Sequence, residues 1–171
     1  MKPSNASLRR AALAIALAAP LCTPFAAGAQ GIVRHKIPNS DFPIAQAVTL
    51  PAGTTIHFIS GQVPPTVNKA ADPNSPAAFG DTKTQTAGVL AKIQDILKGM
   101  GLAMGDVVKM QVFLVGDPGK SGKADVAGFM EGYTQFFGGT QPNLPARAVV
   151  QVAALSNPGW LVEIEVVAAK K

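Results

Sequence analysis

Pro145-Ala146-Arg147-Ala148-Val149-Val150-Gln151-Val152-Ala153-Ala154-Leu155 is followed, after Ser156-Asn157-Pro158-Gly159 and Trp160, by Leu161-Val162-Glu163-Ile164-Glu165-Val166-Val167. The two runs are β-branched and apolar and the segment between them is turn-forming, so they read as two strands closed into a hairpin. One guanidinium opens the first strand and two carboxylates sit in the second. Charge inside such a run costs free energy unless it has a partner. Arg147 and Glu163 therefore either form a structural ion pair or meet a ligand. A turn centred on Asn157-Pro158 sets Val152 opposite Glu163, Val150 opposite Glu165 and Arg147 opposite Ala168. Arg147 then lies roughly 16 Å along the strand from Glu163, which excludes a pair within one hairpin. Parity puts Glu163 and Glu165 on one face. A site using both Arg147 and Glu163 is most easily built where two copies of the chain meet.

Working back from this hairpin, Asp125–Phe137 has a helical apolar pattern of Val126, Phe129, Met130, Tyr133, Phe136 and Phe137, stopped by Gly138-Gly139. Asp106–Val115 is an apolar strand. Thr82–Gly99 is a helix with Ala87, Leu90, Ala91, Ile93, Ile96 and Leu97 on one stripe and Asp81 or Thr82 as its cap. Residues 61–80 carry Pro64, Pro65, Pro73 and Pro76 and read as an exposed loop. Gln46–Leu50 and Thr55–Ser60, around Pro51-Ala52-Gly53, read as a second hairpin. The order β-β-α-β-α-β-β predicts an α+β domain: a mixed sheet with both helices on one face. Its other face has apolar residues and nothing left in the chain to cover it, so copies should associate.

The 171 residues, 47% hydrophobic and 15% charged, suit one globular domain. Residues 1–29 have the parts of a secretory signal: Lys2, Arg9 and Arg10, an apolar stretch from Ala11 to Leu21, and Ala27-Gly28-Ala29 as the cleavage site. The expected divisions are a removed signal at 1–29, a flexible lead-in at 30–41 and one domain at 42–171, in a periplasmic or secreted protein. The apolar stretch is too short to span a bilayer, so no membrane span is expected after signal removal. Arg9-Arg10 leaves the export route open between the general and the twin-arginine pathways. Losing three cations takes the formal charge from +5 to +2, which removes most of the case for a nucleic-acid partner. The only cysteine, Cys22, lies in the signal, so the mature chain has neither a disulfide nor a thiol nucleophile.

Few catalytic motifs survive. Gly119-Lys120-Ser121 ends like a phosphate loop, but Leu114 stands where its first glycine belongs. His35 and His57 have no metal-ligand spacing. Arginine remains the side chain suited to a planar carboxylate, and a nearby glutamate is suited to activating water. That combination points to a small carboxylic acid and a hydrolytic step.

The run from Pro145 to Leu155 with Val162-Glu163-Ile164 resembles the signature of the RidA/YjgF family. The resemblance extends through Ile59-Ser60-Gly61-Gln62-Val63-Pro64, Thr86–Gly101, Gly105–Lys109, Val112-Phe113, Tyr133 and Phe136-Phe137, in order. It implies a chorismate-mutase-like fold, a homotrimer with clefts between subunits, and hydrolysis of 2-aminoacrylate-like enamines and imines to 2-keto acids and ammonia without cofactor or metal. It assigns Arg147 to the substrate carboxylate and Glu163 to the attacking water, with Ser60, Gly61 and the Val149 backbone lining the cleft. Three positions depart from the deaminating pattern: Ile44 stands where tyrosine is usual, Met130 where asparagine is frequent and Val149 where cysteine is frequent. A cleft with these changes fits a larger or more apolar acid, a slower enzyme, or a binder without turnover. Chaperone- or RNase-like roles, ascribed to some relatives, are a further alternative.

Overall fold

The computed structural model describes residues 31–139 and 141–171. The expected signal peptide lies outside these residues. Six strands and two α-helices follow in the order β1 (Val33–Lys36), β2 (Ala45–Thr49), β3 (Thr55–Gln62), α1 (Thr82–Gly99), β4 (Val107–Val115), α2 (Val126–Tyr133), β5 (Ala146–Val152) and β6 (Val162–Lys170). The sheet order is β1-β2-β5-β4-β6-β3. β5 runs parallel to β2 and β4, and the remaining pairs are antiparallel.

Both expected hairpins are corrected by this order. β4 lies between β5 and β6, and β2 pairs with β1 and β5 rather than with β3. The physical reason lies in β4. Met110, Val112 and Leu114 are fully buried, so this strand occupies the centre and is bonded on both sides. Helix α2 then carries the chain from β4 into a parallel neighbour, as parallel pairing requires. The Asn157–Trp160 turn is real, with Gly159 N donating to Asn157 Oδ1 at 2.7 Å, but it leads β6 to the far side of β4.

The expected lead-in also contains a strand. Val33–Lys36 has little apolar signal and is held instead by Arg34, whose guanidinium donates to the carbonyls of Val107, Leu144 and Gly105 at 2.9, 2.9 and 2.7 Å. Helix α1 has the expected bounds, because its cap and its apolar stripe agree: Asp81 Oδ1 accepts from Thr84 N at 2.8 Å, and Val89, Leu90, Ile93 and Leu97 are fully buried. Helix α2 is shorter than the expected 125–137, ending in turns from Thr134 onward.

Both helices cover the face of the sheet that carries Met110, Val112, Leu114, Val162, Ile164 and Val166. They approach closely at Gly132, where a Cβ would fall 2.7 Å from Thr86 Cβ. Buried Gln85 ties α1 to the β6 approach, donating to the Gly80 and Gly159 carbonyls and accepting from Leu161 N. On the opposite face Phe58 is 83% exposed, with Ile56 and Val150 also exposed. Among the described residues no helix is long and apolar enough to cross a membrane.

Candidate functional site

The register through β4 locates the two charges. Arg147 pairs with Met110, which pairs with Val166. Glu163 pairs with Phe113, which pairs with Val150. The two residues are therefore about 10 Å apart both along and across the strands. They also leave the sheet on opposite faces, since Met110 belongs to the helix-covered face and Phe113 to the other. The expected 16 Å separation within a hairpin is replaced by this arrangement. The inference that the two do not pair stands, on different geometry.

Arg147 reaches under α2. Its Cζ lies 4.1 Å from the ring centroid of Tyr133, 5.0 Å from that of Phe129 and 5.5 Å from that of Phe42. Nη2 contacts Met130 Sδ at 3.3 Å, while Nη1 is buried without a hydrogen-bond partner. No carboxylate among the described residues forms an ion pair with it. Burial pushes the guanidinium below its ordinary value, with Tyr133 opposing the shift. Burial likewise raises the Tyr133 phenol to about 12, against the charge of Arg147, so the phenol stays neutral. Its hydroxyl donates to the Pro43 carbonyl at 2.8 Å, fixing the ring.

The energetics of this cage separate a structural arginine from a binding one. Each cation–π contact returns about 0.5–2 kcal/mol. An unsatisfied buried donor costs about 1–3 kcal/mol, and more when it is charged. A purely structural arginine would be expected to satisfy all its donors, as Arg34 nearly does with three carbonyls. Arg147 keeps an unspent, buried Nη1. A separate depression of about 330 Å³ beside its strand is lined by Ile44, Ala45, Gln46, Lys109, Ala146 and Ala148.

Glu163 occupies the other face, half-buried. A bulge in β3 sets Ser60 and Gly61 together opposite Glu165, because Ile59 pairs with Val166 while Gln62 pairs with Ile164. Gly61 leaves room for the carboxylate: a Cβ there would meet Glu163 Oε1. Ser60 lines a second depression of about 260 Å³ with Phe58, Lys109, Gln111 and Glu165.

One protomer thus brings Arg147, Met130 and Ile44 together, with Val149 two residues further along the same face of β5. It brings Glu163, Gly61 and Ser60 together elsewhere. Phe42 and the Tyr133 ring complete the arginine cage and were missing from the sequence reading of the site. Tyr133 had a signal in its helical position. Phe42 had none, because it stands alone in a polar segment.

A mixed sheet with two helices on one face and a caged arginine beneath the second helix defines the class, an α+β domain of the chorismate-mutase-like kind. A family model described as Endoribonuclease L-PSP matches residues 38–170. A RutC family protein of Pyrococcus horikoshii is 34% identical over 141 residues, 82% of this chain and 97% of that protein. A 2-iminobutanoate/2-iminopropanoate deaminase of Salmonella typhimurium is 30% identical over 140 residues, 82% of this chain and 97% of that one. The crystal structure of Escherichia coli TdcF with bound serine matches with a TM-score of 0.54 at 30% identity, over 83% of this chain and 99% of that one. The chain belongs to the RidA/YjgF family.

Proposed function

We propose that this protein hydrolyses 2-imino acids and their enamine tautomers to 2-keto acids and ammonia. The observation that carries the reading is the buried, unpartnered Nη1 of Arg147. The deaminase name of the Salmonella relative and the serine bound to TdcF support a small carboxylate-bearing substrate. Arg147 donates to the substrate carboxylate. Glu163 takes a proton from water as the oxygen adds to the imine carbon. The resulting carbinolamine collapses as its nitrogen is protonated, releasing ammonia and the keto acid. The reaction adds one water and needs no electron acceptor. Because Arg147 and Glu163 leave opposite faces of one sheet, the working site is formed between copies, in a trimer on this reading. The exposed Phe58, Ile56 and Val150 supply apolar surface for that association.

Imines generated by an amino-acid oxidase test this. Keto-acid release should exceed the buffer rate, and Arg147→Ala should slow it roughly 30- to 1000-fold, the equivalent of about 2–4 kcal/mol of lost charge-assisted hydrogen bonding. Release at the buffer rate that is indifferent to this substitution would sink the reading. A second reading, a small-acid binder without turnover, is favoured by the apolar Ile44, Met130 and Val149 around the cation. It predicts keto-acid binding that needs Arg147 but not Glu163. We further propose that the protein acts outside the cytoplasm after cleavage behind Ala29. N-terminal sequencing of the mature protein checks this, and an intact Met1 would refute it.

A further inference from the structure

The open face of the sheet carries Lys109, Glu163 and Glu165, and none of the three is in an ion pair among the described residues. Register sets the side chains of this face in rows. Phe58, Val167, Lys109 and Ala146 form one row, Glu165, Gln111 and Ala148 the next, and Glu163, Phe113 and Val150 the one beyond. Lys109 and Glu165 are both exposed. They hold diagonal positions on adjacent strands, about 7–8 Å apart, within reach of long side chains. Both line a depression of about 260 Å³, together with Phe58, Ser60 and Gln111. On an open face each charge is solvated and needs no partner.

Association changes that requirement. When copies meet through the apolar Phe58, Ile56 and Val150, an ammonium and a carboxylate are drawn into the contact, and stripping their water is costly unless they pair. We propose that Lys109 of one copy pairs with Glu165 of the next, and that this pair sets the register in which copies meet. The inference rests on the association in the proposed function and names its polar determinant. Glu165 suits the role better than Glu163. The Glu163 carboxylate is half-buried against Gly61 in the β3 bulge, whereas Glu165 stands exposed in the depression that Lys109 also lines. A face that carries both signs of charge is complementary to itself, so a second copy of this chain is the partner its charges fit. Apolar contact alone is non-directional, and the ion pair is what fixes one alignment.

Sedimentation of the protein and of charge-reversed variants, over a range of concentrations, tests this. Lys109→Glu and Glu165→Lys should each weaken association at least about tenfold, because like charges then face each other. Circular dichroism of each reversed chain should be unchanged, since both positions are exposed. The two reversals combined in one chain should restore association. An equimolar mixture of the two single variants should associate more strongly than either alone, because each then finds its opposite charge on the other. Recovery in the combined variant without recovery in the mixture would put the pair within one chain and overturn the inference. A combined variant as weak as the single ones overturns it too. If a reversed chain does not fold, Lys109→Met, Glu165→Gln and their combination replace the set. Losses of association that are smaller together than their sum support the pair, and additive losses overturn it. A protein that stays monomeric at every concentration removes the association and the pair together, whereas one that associates regardless of reversal removes the pair alone.

Discussion

The two faces of the sheet are finished to different degrees. On the helix-covered face Arg147 sits in a cage supplied by one chain, with its aromatic walls and a fixed phenol in place. On the other face Glu163 stands beside a glycine bulge next to open apolar surface, and Phe58 is 83% exposed. On the function proposed above, carboxylate recognition would be built during folding, whereas the hydrolytic half would wait for assembly.

The sharpest way to break that comparison is complementation. Arg147→Ala and Glu163→Gln chains, each inactive alone, should regain roughly a quarter of wild-type turnover when co-expressed and randomly mixed, because each shared site draws one residue from each neighbour. Recovery of nothing would place both residues in one chain's site and erase the contrast. The finished face also predicts an alkaline limit. Tyr133 is raised to about 12 in the fold, against about 10 in an unfolded chain. The unfolded state loses its proton first, so stability is flat below about pH 10 and falls by about 2–3 kcal/mol between pH 10 and 12. Denaturant titrations in that window should show the fall, and Tyr133→Phe should abolish it. On the open face Gly61→Ala pushes the flexible end of Glu163 aside, so it should cost turnover while changing stability by no more than about 1 kcal/mol. Binding of a keto acid at Arg147 should suffer less, and equal damage to both would blur the division between the faces. The smallest effect on the isolated fold is expected from Phe58→Ser, within about 0.5 kcal/mol. Its consequence should show in sedimentation, as loss of association.

Much of this was readable from the chain, and the gaps have physical causes. Helix α1 was readable to the residue because Asp81 and the Leu90–Leu97 stripe agree on one answer. Strand positions were readable and their partners were not. Two apolar runs around a turn look like a hairpin, and only the need to seat β4 at the centre separates β5 from β6. Periodicity could not find β1, whose hold is three carbonyls offered to Arg34 by residues more than 70 positions away. Arg147 was recognisable from its chemistry and setting as a charge that needs either an ion-pair partner or a ligand. That it shares no face with Glu163 follows from pairing through β4, which no local pattern encodes. Phe42 could join the cage only once the chain between β1 and β2 had a path.

Arg34 also bears on where this protein can be shortened. The family match begins at residue 38, and a truncation there would look harmless by sequence. It would discard β1 and leave the outer edge of β2 with unpaired backbone groups, a template for pairing with any other exposed strand. The carbonyls of Gly105, Val107 and Leu144 would lose their shared donor together. Proteolytic trimming past this arginine should therefore turn a well-behaved protein into one that aggregates, before its chemistry is touched.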